Sequence, residues 1–143
     1  AATDRAQGTA AAATRARTRP QGSPPVIAHV VLFRPRPDLS DAARHQLADA
    51  FRAALEHIPS LRRARVGRRV TIGSDYERLA PPNLTHAALL EFADVEGLWA
   101  YLRHPAHGQV GQLFFETFEE TLIYDFELKE GDEGVGELVS RSV

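Results

Sequence analysis

Val26-Ile27-Ala28-His29-Val30-Val31-Leu32-Phe33 is a β-branched, mostly apolar run that Pro35 and Pro37 bring to a stop. Side chains alternate across a strand, so Ile27, His29, Val31 and Phe33 share one face and Ala28, Val30 and Leu32 the other. Both faces are apolar, so both need a cover. Ser40 then supplies an N-cap, with Asp41 in the first turn, and Leu47, Phe51, Leu55 and Ile58 recur at helical spacing until Pro59. Leu61 to Ile72 reads as a second strand, with Arg63, Arg65 and Arg69 on one face and Ala64, Val66 and Val70 on the other. Gly73 to Leu84, containing Pro81-Pro82-Asn83, is the longest loop and a candidate lid.

Thr85 to Phe92 is a third strand, with His86, Ala88, Leu90 and Phe92 on one face. Asp94 caps a short helix that presents Leu98, Tyr101 and Leu102. In His104-Pro105-Ala106-His107 the proline ends that helix and suits the first turn of the next, because its φ is fixed and its missing N–H was unpaired there anyway. Val110, Leu113, Phe114 and Phe118 continue a helical stripe, and Thr121 to Leu128 is a final alternating strand. The order is β-α-β-β-α-β, an α+β, ferredoxin-like arrangement with a four-stranded antiparallel sheet.

The 143 residues divide into an N-terminal arm (1–25), one domain (26–128) and a Gly- and Glu-rich tail (129–143) that is expected to be loose. The arm has no large apolar residue and four arginines against one aspartate, so it is expected to be disordered. Its acid-poor character is similar to an organelle transit peptide, although a plain solvated extension is the preferred reading. A net charge of -2 gives no electrostatic reason to expect nucleic acid or a membrane surface. There is no cysteine, hence no disulfide, thiol nucleophile or cysteine metal site, and a cytoplasmic location is expected. Pairing His104 with His107 for a metal leaves the site short of a third ligand, so none is expected.

The strand His29–Phe33, Glu91-Phe92 followed by Leu98, Tyr101 and Leu102, the His-Pro-Ala-His turn, and the closing Leu122-Ile123-Tyr124-Asp125-Phe126 resemble the stress-responsive A/B barrel (Dabb) family. The resemblance implies a homodimeric α+β barrel whose open sheet faces pair. It also implies, from a polyketide-cyclising branch of the family, a cofactor-free acid–base pair at Tyr101 and His107, with His29 and His86 in the pocket. A further pocket tyrosine of that branch falls on Phe51, so its hydroxyl is absent here. Val31, Phe51 and Leu90 are the expected apolar lining for a polyketide-like or aromatic ligand.

Each residue also has a plainer reading. The imidazoles around Pro105 serve equally as backbone caps, and His29 as a buried, hydrogen-bonded core residue. Strands one and three should run antiparallel, which puts His29 and His86 toward opposite ends of the sheet. The arginine-rich second strand suggests an anion patch or a solvated face. RNA binding by such a sheet needs stacking aromatics on its open face, and the third strand offers Ala87, Leu89 and Glu91 there. The expected protein is a homodimer with a small-molecule pocket, or alternatively a non-enzymatic stress or assembly protein whose histidines are structural.

Overall fold

Alternating strands and capped helices close into a single antiparallel sheet with helices on one side. The computed structural model describes residues 23–80 and 83–140. The strands are β1 (Val26–Pro35), β2 (Leu61–Arg68), β3 (His86–Phe92) and β4 (Phe118–Leu128), in the order β2-β3-β1-β4. Helices α1 (Asp41–His57), α2 (Val95–Arg103) and α3 (Pro105–Thr117) connect them. The β-α-β-β-α-β order therefore stands, with its second helix broken in two.

Local chemistry sets these boundaries. The Ser40 side chain accepts from the Ala43 N–H at 3.1 Å, and Asp94 accepts from the Gly97 N–H at 2.8 Å, each satisfying a helix-start donor. Pro105 opens α3, and the His104 ring accepts from the Ala106 N–H at 3.1 Å, so this histidine is a cap. The register between β1 and β4 shifts at Arg34/Pro35, where proline has no N–H to give the ladder.

Core residues come from the face holding Ile27, His29, Val31 and Phe33. One cluster joins Ile27, Ala54, Ile58, Leu90, Phe92, Leu98, Tyr101 and Val110, and a second joins Val31, Phe33, Ala88 and Phe118. On the other face, register lines up Ala28, Val30 and Leu32 with Phe126, Tyr124 and Leu122 on one side and with Glu91, Leu89 and Ala87 on the other. Leu89, Leu122, Tyr124 and Phe126 are exposed there.

Four expectations change. The second strand ends at Arg68 rather than Ile72, because its partner β3 begins at His86, opposite Arg68. Val70 and Ile72 lie beyond the ladder and are exposed. Phe118 fits the helical spacing but is the buried first residue of β4, which starts three residues before Thr121. Residues expected to form a loose tail contain a short helix α4 (Gly131–Gly136), with the Lys129 ammonium paired to Glu137 across it. Finally, the open face does carry aromatics: Tyr124 and Phe126, their ring centroids 6.2 Å apart. The expected arm lies almost wholly outside the described residues, as do Pro81 and Pro82 of the long loop.

Candidate functional site

The break at Pro105 brings three expected site residues together. Tyr101, in the last turns of α2, has its ring 4.7 Å from that of His107, on the first turn of α3. On its other side it meets His29 of β1 at 6.0 Å and Phe92 of β3 at 5.2 Å. The His29 Nδ1 lies 2.6 Å from the Asp125 carboxylate of β4, directly across the ladder. Asp125 was not among the expected site residues. Its alternation on the last strand marked a face, but only the β1–β4 register identifies its partner.

Tyr101 is 2% exposed, and burial pushes its phenol up to about 12, so it stays protonated at neutral pH. Its hydroxyl has no hydrogen-bond partner among the described residues, nor does it rank with the fully buried orphan oxygens, those of Ser60 and Ser74. Part of its small exposure therefore lies at the oxygen. Burial, and secondarily the neighbouring His29, hold the His107 imidazole below its ordinary pKa, while a backbone hydrogen bond at Leu102 partly opposes them. A neutral imidazole and a phenol that keeps its proton thus lie in contact: one can accept a proton and the other can donate a hydrogen bond.

The remaining expected residues are dispersed. His86 pairs with Phe33, stacks on it at 5.4 Å, and bonds to Thr85 Oγ1 at 2.8 Å, four residues along β1 from His29. Burial, then Arg68 and Arg44, lower its pKa. Val31 and Leu90 are buried in the core clusters. Phe51 instead lines an apolar cleft of about 300 Å³ between α1 and the sheet, with Phe33, Leu47, Leu55 and Phe118 and with Arg44 and Arg52 at its rim. Phe51 and Leu55 also pack against the cluster containing Tyr101, so one layer of side chains joins the cleft to the Tyr101–His107 pair. His45 and His57 are exposed on α1, each ring bonded to a backbone carbonyl one turn earlier. Trp99 is half-exposed beneath the Arg103 guanidinium.

Among the described residues no group of three or more His, Cys, Asp and Glu is placed to hold a metal, and no helix is long and apolar enough to cross a membrane. The family model for the Stress responsive A/B Barrel Domain, Dabb, matches residues 27–128. Among curated proteins, olivetolic acid cyclase of Cannabis sativa is 23% identical over 100 residues, covering 70% of this chain and 94% of its own. Among solved structures, a dimeric ferredoxin-like protein of unknown function from Thermobifida fusca superposes with a TM-score of 0.58 at 22% identity, over 73% of this chain and 92% of that one. The hydroxynitrile lyase of Passiflora edulis gives a TM-score of 0.64 at 17% identity, over 76% and 98%.

Proposed function

Because the chain belongs to the stress-responsive A/B barrel (Dabb) family, we propose that it is a homodimer, paired through its open sheet faces, that binds an apolar or aromatic carbonyl compound and acts on it by cofactor-free acid–base chemistry. The observation that carries this reading is the unpartnered Tyr101 hydroxyl beside the neutral His107 imidazole. His107 removes a proton from a carbon flanked by two carbonyls. Tyr101 donates a hydrogen bond to the oxygen on which the enolate charge develops. The enolate carbon then attacks a distant carbonyl of the same substrate, forming the ring bond while the imidazolium of His107 returns its proton to the alkoxide so formed; without that attack the proton goes back to the enolate. Asp125 fixes the His29 ring, which lies 6.0 Å from the Tyr101 ring.

Dimerisation follows from physics as well as kinship. Helices cover one face of the sheet, while Leu89, Leu122, Tyr124 and Phe126 expose the other. A second copy covers that face with two-fold symmetry, and the similar Thermobifida fusca protein is described as dimeric. One observation favours the alternative of a non-enzymatic stress or assembly protein: the Tyr101 ring is an integral part of the core cluster.

A thermal-shift screen of aromatic acids and β-keto compounds against wild type and His107→Ala separates the two. A saturating ligand at about 100 times its dissociation constant adds about 2.7 kcal/mol. Stabilisation that disappears in the variant supports the proposed site. No stabiliser, together with a variant that melts several degrees earlier, supports structural histidines.

A further inference from the structure

We propose that the compound bound on the helix side of the sheet is an acid, and that Arg44 and Arg68 hold its anionic head at the end of the apolar cleft. This rests on the reading of that side as the ligand site and adds the feature that selects the substrate class. The cleft of about 300 Å³ runs between α1 and the sheet, where Leu47, Ala48 and Phe51 oppose Phe33 of β1 and Val66 of β2. Dimerisation through the open face leaves it free, because cleft and open face lie on opposite sides of the sheet.

Register fixes where the two arginines stand. Val66 and Arg68 are two residues apart on β2 and share a face, and they pair with Ala88 and His86 of β3. Ala88 joins the core cluster of Val31 and Phe33 beneath the helices, so that face is the helix side. Arg44, in the first turns of α1, lines the cleft and also shares a smaller hollow with His86 and Thr85. Both guanidinium groups therefore gather about His86, whose ring stacks on Phe33 at 5.4 Å. Burial first, then the charges of Arg68 and Arg44, lower the His86 pKa, so the imidazole is uncharged at neutral pH.

The carboxylates that could neutralise this pair are engaged elsewhere. Glu119 and Glu120 each bond to Arg34 at 3.0 Å, and Asp49 bonds to Arg52 at 3.2 Å. Arg44 and Arg68 have no carboxylate within ion-pair distance among the described residues. Two like charges at the end of an apolar cleft complement a carboxylate on an apolar or aromatic body. From His86 to His29 is roughly 13 Å along the strands, and the Tyr101 ring lies 6.0 Å from His29. An acid anchored at the arginines thus needs a body of about that length to bring a carbonyl to Tyr101 and His107, and the anchor decides which carbonyl arrives there.

Isothermal titration calorimetry with ω-phenylhexanoate, and with ω-phenylhexanamide as its uncharged counterpart, tests this. Wild type should bind the acid about tenfold more tightly than the amide. The double variant Arg44→Gln/Arg68→Gln should erase that preference while leaving the amide within about twofold. Arg52→Gln, at the same rim but already engaged by Asp49, should leave both probes within about twofold. Ala48→Leu, which fills the cleft, should weaken both. Arg44, Arg52 and Arg68 are exposed, so the arginine variants keep the core intact. The proposal fails if wild type binds neither probe or shows no preference for the acid. It fails equally if the double variant keeps the preference or loses both probes alike, or if Arg52→Gln is the variant that abolishes it. Unaltered affinities in Ala48→Leu would overturn it too, since the body would then lie outside the cleft. Neither probe has a carbon between two carbonyls, so no result here depends on proton transfer by Tyr101 and His107. Failure of the acid–base reading would show instead as absent deuterium exchange with a neutral diketone.

Discussion

Replacing Tyr101 by Phe separates chemistry from packing at the core of the candidate site. The ring contacts Phe92, His29 and His107 at centroid distances of 5.2, 6.0 and 4.7 Å, and phenylalanine keeps all three. What is lost is one oxygen with no protein partner among the described residues. Deleting one partner of a buried hydrogen bond costs about 1–3 kcal/mol, but no such bond is broken here. Stability should therefore hold within about 0.5 kcal/mol, roughly 2–4 °C in melting midpoint for a domain of this size. Tyr101→Ala, by contrast, removes a ring that is 2% exposed and should cost about 3–5 kcal/mol. Losing an oxyanion donor lowers turnover by about 10²–10³. The assay is deuterium exchange at the carbon between the two carbonyls of benzoylacetone, followed by proton NMR, with wild type exchanging above the buffer rate. Tyr101→Phe that exchanges at the wild-type rate refutes the role given to the hydroxyl. Tyr101→Phe that loses more than about 2 kcal/mol shows that the hydroxyl was structural.

Three further outcomes are expected. His107 and His86 have folded pKa values below the unfolded value of 6.5, so the unfolded chain binds more protons as the medium acidifies. Their contribution is complete above about pH 6.5 and declines as pH falls toward the folded values; His107→Gln should flatten the melting midpoint against pH below 6.5, and an unchanged slope would remove His107 from the account. Asp125→Ala leaves the nearly buried His29 ring without its 2.6 Å partner and should cost about 1 kcal/mol, discounted for the half-exposed carboxylate; an unchanged urea midpoint would show that the pair does not bear on stability. Phe126→Asp places a charge on the open face, on the edge strand β4, and should shift sedimentation toward the monomer, with a dimer dissociation constant raised at least about 100-fold; unaltered sedimentation would place the interface elsewhere.

Most of the architecture was legible because the signals were local. Proline stops, Ser40 and Asp94 caps and the alternation of β1 each act within a few positions, and the structure keeps them. The misses depend on partners distant in the chain. Val70 and Ile72 have strand-like side chains, yet β2 ends where β3 has no more residues to pair. Phe118 lies four residues after Phe114, a spacing that suits helix and helix-to-strand junction alike. The open-face aromatics follow the alternation of β4, but only the pairing of β4 with β1 places them on the same face as Ala87, Leu89 and Glu91 of β3.

The candidate site divides in the same way. Tyr101 and His107 are what the family resemblance implies, on a motif contained within a few residues of Pro105, and their rings do meet. The His29–Asp125 pair spans 96 positions and required the register of two strands. Whether Val31, Phe51 and Leu90 enclose a void was a question of volume. Only Phe51 borders the helix-side cleft, and it also packs against the cluster that contains Tyr101.

The helix break has a consequence for how this site can drift. On an unbroken helix, residues six apart lie about 240° around the axis, so Tyr101 and His107 would point away from one another. Their meeting depends on the change of direction at His104–Pro105, which involves neither ring. Sequence change at the two rings and change at the bend are therefore not independent. A chain that let α2 run on into α3 would retain both functional groups and lose their encounter, and a comparison of residue identities alone would not detect it.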